Sequence, residues 1–341
     1  MSASISSRPF APLPRRPVRI LGSGVALPED VVTSRELDQR LGLPAGTVEK
    51  KTGVRQRHVE TKRSAAALGA DAARAAMAAA GLAFADLDCL VMASGTPDQA
   101  MPCNAALLHH ELGLERLPAF DLGASCLGFM VALDTLATLI AAGHYRHVLV
   151  VASDIASCGL DWRQLEASGI FGDGAAAFVL VPAGDSSSAL VAARFETHSH
   201  GVHWCEIPGG GSRHHPSRIS EPFAPLALFK MDGKAVFRLA AEKLPGFVGG
   251  LLEGAGKTIG DIDVVVPHQA SAHALQFLRK KFAIGRDRMV DIFAEHGNQV
   301  AASLPTALHH AIATGRLRRG GHALLIGTGA GVGFGGAILC Y

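Results

Sequence analysis

The chain has 341 residues, 48% of them hydrophobic and 18% charged, with 39 glycines and a formal net charge of +2. That is long enough for a large core or two domains, and the composition is that of a globular chain rather than a disordered one. The near balance of charge argues against a protein whose main business is nucleic acid. The six cysteines, at 89, 103, 126, 158, 205 and 340, form no C-x-x-C pair, which suits free thiols in a reducing cytoplasm.

Residues 1–17 are rich in Ser, Pro and Arg with no apolar run, and read as a flexible arm, not a signal peptide. A strand is expected from Val18 to Leu21, ending in Gly22-Ser-Gly24. That trio lacks the third glycine of a dinucleotide fingerprint. A polar helix over about 33–42 leads to a charged loop, Glu49 to His58. Ala65–Ala80 is an Ala-rich helix stopped by Gly81. Cys89–Ala93 reads as a buried strand, 102–112 as a helix and Pro118–Leu122 as a short strand. The helical run Leu127–Ala142 carries Asp134 and is too short to span a bilayer comfortably. His147–Ala152 and Phe178–Val181 are strands, and Pro182–Ser188 is a polar linker.

After the linker the pattern begins again. Asp86-Leu-Asp-Cys-Leu-Val returns as Asp261-Ile-Asp-Val-Val-Val, and His147-Val-Leu-Val-Val as His322-Ala-Leu-Leu-Ile, both at an offset of 175. The run from Gly172 (Gly-Asp-Gly-Ala-Ala-Ala-Phe-Val-Leu) is matched by Gly333-Phe-Gly-Gly-Ala-Ile-Leu at a shorter offset. Repeated phrases in one order predict an internal duplication, with halves at 18–182 and 189–341 around a pseudo-twofold axis. Alternating strands and helices predict α/β layers with mainly parallel strands.

Cys126 sits between the strand ending at Leu122 and the helix after it. Two readings fit that position: a thiolate stabilised by a helix N-terminus, or a buried small hydrophobe. The offset carries Cys126 to position 301, inside the polar Glu295–Pro305 segment, and Ala93 to His268 at the end of a strand. Strand ends are where α/β sheets collect ligand sites, so Cys126, His268 and Asn298 are candidates to converge. His198, His200, His203, His214 and His215 crowd together, but no Cys or carboxylate pattern completes a metal site; no metal is expected, and the loop reads as lining the substrate entrance.

Ala124-Ser-Cys126-Leu-Gly-Phe, Phe171-Gly-Asp-Gly-Ala, Val266-Pro-His268-Gln-Ala, His296-Gly-Asn298, Ala301-Ala-Ser-Leu-Pro and Lys51-Thr-Gly-Val-Arg-Gln-Arg-His58 together resemble the type III β-ketoacyl-acyl-carrier-protein synthases of the thiolase superfamily. The likeness runs from about residue 18 to the end. It implies a duplicated, five-layered α-β-α-β-α fold, a homodimer and a Cys126-His268-Asn298 site at the foot of a tunnel. It also implies CoA or phosphopantetheine thioesters as substrates, without a bound cofactor and without nucleic acid or membrane as partner. Arg238, Arg279, Lys280 and Lys281 fall where the family docks its acidic acyl carrier protein; a solvated helix face is the plainer reading. Met101 resembles the position where a partner subunit's side chain enters the acyl pocket, and reads equally as a core Met at a helix start.

The pattern is broken in places. Thr47 stands where the family has a tryptophan that stacks on the CoA adenine, and Lys51 replaces an arginine. Leu165 replaces a second CoA-contacting arginine, with Arg163 a nearby substitute, and Thr328 replaces a Phe of the C-terminal glycine loop. Lys51, Arg163, Thr328 and Met101 are the candidate tunnel residues.

Such chemistry needs a thiol to accept an acyl group from a donor thioester and backbone donors for the oxyanion, here Cys126 and Ala330. It also needs two neutral donors, His268 and Asn298, for the enolate left when a malonyl thioester loses carbon dioxide. The expected function is therefore decarboxylative Claisen condensation on a carrier protein. The alternatives are a non-decarboxylating acyltransferase to a hydroxyl or amine in a specialised pathway, a cysteine hydrolase, and a silent partner subunit.

Overall fold

The computed structural model describes residues 15–341, and in it the offset of 175 appears directly as strand register. Strands β4 (Cys89–Met92) and β6 (Val148–Asp154) pair in parallel with Cys89 opposite Val148. Strands β11 (Val264–Pro267) and β12 (His322–Gly329) pair in parallel with Val264 opposite Ala323, the same partners moved by 175.

The first half contains β1 (Val18–Ala26), β2 (Val31–Thr33), α1 (Ser34–Arg40), α2 (Thr47–Thr52), β3 (Gln56–His58), α3 (Ala65–Ala80), β4, α4 (Asn104–Glu111), β5 (Ala119–Asp121), α5 (Gly128–Ala141), β6, α6 (Leu165–Ser168) and β7 (Gly174–Pro182). The second contains β8 (Ala189–Thr197), β9 (Cys205–Glu206), β10 (Lys230–Met231), α7 (Gly233–Gly254), β11, α8 (Ala272–Lys281), α9 (Phe293–His296), α10 (Ser303–Ala313), β12 and β13 (Gly333–Cys340). The main sheets run β1-β7-β6-β4-β5 and β11-β12-β13-β8.

Five layers follow from which side chains share a core. On one face of the first sheet, Leu90, Met92, Leu149 and Val151 pack with Leu68, Ala72, Ala73 and Ala76 of α3. On the other face, Val91 and Val150 pack with Phe129 and Leu133 of α5. The same central core takes in Leu304 and Leu308 of α10 and the inner residues Val264, Val266 and Leu325 of the second sheet. The outer face of the second sheet, with Val265, Leu324 and Ile326, is covered by Phe247 and Leu251 of α7 and Leu275 and Leu278 of α8. Alternation along each strand, one residue to each face, is what divides these cores. The layering is that of the duplicated thiolase-like α/β fold.

Four local expectations are corrected. The sheets are mixed: β4–β5, β4–β6 and β11–β12 are parallel, whereas β1–β7, β6–β7, β12–β13 and β8–β13 are antiparallel. Parallel pairing needs a crossover helix, and β12 turns straight into β13 without one. Strand β1 does not stop at Gly22. It continues to Ala26 because Gly22 and Gly24 lie against α3, where an added Cβ at Gly22 would come within 2.5 Å of Ala76 O; the same approach explains why α3 is rich in alanine. The segment 49–58 is ordered, with α2 closed by Gly53 at φ 79° and β3 paired to β2. Its charges conceal the fully buried Val54. Finally, of the arm expected over 1–17, residues 1–14 lie outside the described residues, and Arg16 is fixed. It is buried, its backbone exchanges hydrogen bonds of 3.0 Å with Leu190, and its guanidinium pairs with Asp134, which accounts for a carboxylate on so apolar a helix.

Candidate active site

Helices α5 and α10 each start from a tight turn, Ser125–Leu127 and Val300–Ala302, related by the same offset of 175. Ser125 has φ 48° and Val300 φ 53°, conformations uncommon for L-residues and costly for a β-branched one. The first turn presents Cys126. The second presents Asn298, and between them the two turns bring the halves of the site together.

The backbone N–H groups of Ala330 and of Cys126 itself act on the Cys126 thiol, and they are the two donors expected of an oxyanion hole. Both pull its pKa down, yet desolvation prevails, helped by the negative charge of Asp154, and the thiol is pushed up to about 12. At this thiol, loss of solvation outweighs the two N–H groups, so the helix start does not by itself make a thiolate. Gly329 makes room beside the nucleophile, since a Cβ there would lie 3.1 Å from Leu127 Cγ and 3.6 Å from Cys126 N.

His268 follows β11, and its N–H donates to Ile326 O at 2.8 Å. The residue is 4% exposed, its Nδ1 has no partner among the described residues, and burial lowers its pKa to about 4. At neutral pH the ring is uncharged and carries one donor nitrogen. It lines a cavity of about 40 Å³ together with Phe237, Ala270, Phe277, Gly327 and Thr328.

Asn298 Oδ1 accepts from Val300 N–H at 2.9 Å and from Ser303 Oγ at 3.3 Å, while Nδ2 reaches Ala270 O at 3.4 Å. Only an oxygen can accept from the Val300 N–H, which fixes the amide with its NH₂ on the Ala270 side, the wall it shares with the His268 cavity. The backbone of Asn298 is held by Ile170-Phe171-Gly172: Asn298 N–H donates to Ile170 O at 2.7 Å, and Gly172 N–H to Asn298 O at 3.1 Å. A Cβ at Gly172 would strike His296 O at 2.3 Å, so that glycine motif serves the Asn298 turn.

The remaining candidates separate. Thr328 lines the His268 cavity, but Lys51, Arg163 and Met101 do not. Lys51 is exposed on α2, and Arg163 is bound to Asp161 at 2.8 and 3.0 Å. The two sit near one corner, where Val48 and Leu165 share a small apolar cluster with Trp162. Met101 is 83% exposed, which rules out the core reading. Arg238 on α7 and Arg279, Lys280 and Lys281 in the last turn of α8 lie on adjacent helices joined by Phe237 and Phe277, 5.7 Å apart. Sequence reasoning missed Asp154 and Ser303; the one available signal was that Asp154 ends a buried strand, β6, with a parallel neighbour in β4.

Two family models match. One, 3-oxoacyl-[acyl-carrier-protein] synthase III, covers residues 120–199, and its C-terminal counterpart covers 252–341. The β-ketoacyl-[acyl-carrier-protein] synthase III of Sphingopyxis alaskensis is 36% identical over 322 residues, 93% of this chain and 97% of the relative. The crystal structure of 3-oxoacyl-(acyl carrier protein) synthase III from Pseudomonas aeruginosa superposes with a TM-score of 0.85 at 35% identity, covering 96% of this chain and 98% of that one. The priming β-ketosynthase of the R1128 polyketide pathway gives 0.84 at 31%, covering 97% and 98%. With its duplicated fold, its half-buried thiol at a helix start and its neutral His and Asn, the chain belongs to the β-ketoacyl-acyl-carrier-protein synthase III family of the thiolase superfamily.

Proposed function

We propose that the chain is a condensing acyltransferase that loads an acyl group on Cys126 and extends it with a malonyl-type unit held on an acyl carrier protein. The observation that carries this reading is the Asn298 amide, whose oxygen is tied to Val300 and Ser303 and whose NH₂ reaches Ala270 O, on a residue that lines the His268 cavity. A simple acyl transfer to water, alcohol or amine has no need of a second neutral donor there. An enolate does.

In the first half-reaction the Cys126 sulfur attacks the donor thioester carbon. Its proton passes to His268, the oxyanion rests on the N–H groups of Cys126 and Ala330, and the donor thiol leaves with a proton. In the second, the malonyl C–CO₂ bond breaks and its electron pair enters the thioester as an enolate, whose oxygen accepts from His268 and Asn298. The enolate carbon then attacks the acyl carbon, a C–C bond forms and the S–C bond breaks, giving a β-ketoacyl carrier, carbon dioxide and the Cys126 thiolate, which takes up one proton from solvent to restore the free thiol.

The partners proposed with this chemistry are an acyl carrier protein, facing Arg238, Arg279, Lys280 and Lys281, a CoA- or carrier-bound acyl donor, and a second copy of the chain. Support for the dimer comes from β5, an edge strand only partly covered, since an unpaired edge invites pairing with another strand. No bound cofactor is needed. A reducing cytoplasm suits the free cysteines, and no helix among the described residues is long and apolar enough to cross a membrane. The test is intact-mass detection of acyl-Cys126 over a panel of donors, combined with carbon dioxide release from malonyl-carrier. Acylation without carbon dioxide release would shift the assignment to simple acyl transfer.

A further inference from the structure

Asp154 ends β6 with none of its surface exposed. Its Oδ1 accepts from Gly95 N–H at 2.7 Å, Thr96 N–H at 2.8 Å and Thr96 Oγ1 at 2.8 Å, and its Oδ2 accepts from Ala302 N–H at 3.1 Å, 148 positions away. One carboxylate therefore joins a strand end, the loop after β4 and the turn that presents Asn298. That loop also touches the nucleophile turn: a Cβ at Gly95 would lie 2.6 Å from Val300 Cγ1 and 3.4 Å from the Ser125 carbonyl carbon.

The duplication makes the placement informative. The offset of 175 carries Asp154 to Gly329, which has no side chain and stands beside Cys126 N. Ala302 N–H, which also donates to Gln299 O at 3.0 Å, corresponds to Leu127 N–H, which donates to Ala124 O at 3.0 Å. The two helix starts thus share their internal hydrogen bond, but only the Asn298 side has a carboxylate behind it. On the Cys126 side a carboxylate would collide with the reaction's own oxyanion.

We propose that Asp154 is a positioning residue that clamps the Asn298 turn to the nucleophile half while its negative charge opposes a second one on Cys126. The first effect rests on the condensation reading of Asn298; the second does not. Asp154→Asn keeps the size but replaces one acceptor oxygen with an NH₂, which must face either the Ala302 N–H or the cluster of Gly95 and Thr96 donors. Misplacing the turn should lower carbon dioxide release from malonyl-carrier ~10- to 100-fold, with acyl-Cys126 formation retained. Removing the charge should quicken alkylation of Cys126 by iodoacetamide at pH 8 by ~3-fold or more. A side chain that merely supports the fold would slow acylation and carbon dioxide release together.

Equal loss of acylation and carbon dioxide release, or unchanged carbon dioxide release, overturns the clamp; unchanged alkylation overturns the charge effect. If the wild-type enzyme releases no carbon dioxide, the condensation reading and the clamp fail together, and the alkylation rate alone decides the charge effect. If Asp154→Asn does not fold, Thr96→Val and Thr96→Ser decide the clamp. Loss of carbon dioxide release in the first with recovery in the second supports it, and equal behaviour of the two refutes it.

Discussion

Ser125 and Val300 hold the same left-handed backbone conformation, φ 48° and 53°, at equivalent points of the two halves. One turn aims the sulfur of Cys126, and the other follows Asn298 and supplies the N–H that orients its amide. A β-branched residue at 125 would oppose this conformation, so Ser125→Val should cost ~1–3 kcal/mol of stability and slow acylation, while Ser125→Gly should be neutral or stabilising. Urea midpoints together with the rate of acyl-Cys126 formation check this. Equal stability and equal rates in the two variants would sink it.

The pH behaviour of the thiol follows from its burial. With a pKa of about 12, alkylation of Cys126 in the free enzyme should rise ~tenfold per pH unit and still be climbing at pH 10, where an ordinary thiol near 8.5 has levelled off. A plateau below pH 9 would contradict it. His268 works in the opposite sense. Its pKa of about 4 means that, between pH 4 and the ordinary imidazole range, the unfolded chain binds a proton that the folded chain refuses. Its contribution to stability therefore rises with pH across that window.

The half-reactions should divide between the donors. Asn298→Ala should accept the acyl group normally yet lose malonyl decarboxylation by ~100-fold or more, the typical cost of one oxyanion donor. Asn298→Asp should be at least as poor, because an ionised carboxylate cannot donate. His268→Ala should damage both steps if the ring takes the thiol proton. Acyl-enzyme mass and labelled carbon dioxide measure the two steps separately, and normal decarboxylation by Asn298→Ala would end the condensation assignment.

Reversing Arg279 and Lys280 to Glu should raise KM for carrier-bound substrate ~5-fold or more, since exposed charge pairs are individually weak. Added salt should act in the same direction on the wild type. Small thioester mimics should be unaffected, and a loss shared by both substrate classes would make the cluster structural.

The protein should migrate at about twice its chain mass of 35.4 kDa, with the second copy extending the sheet at β5. Sedimentation at nanomolar concentration is the check. A fully active 35.4 kDa species there would refute the obligate dimer.

The chain's order of residues was enough to reveal the duplication, because strands buried on both faces must be apolar and the offset of 175 recurs in Cys89–Met92 and Val264–Pro267. It was also enough to bound α3, where Ser64 caps one end and Gly81 the other, and to bring forward Cys126, His268 and Asn298. Tertiary structure alone decided the rest. Whether a strand joins in parallel depends on the connection before it, so β7 and β13 could not be oriented from their own residues. The proton affinity of Cys126 is set by desolvation and by Asp154, and the direction of the Asn298 amide by Val300 N–H and Ser303. Solvation and hydrogen bonding between distant segments have no periodicity along the chain; they exist only once packing has brought the segments together.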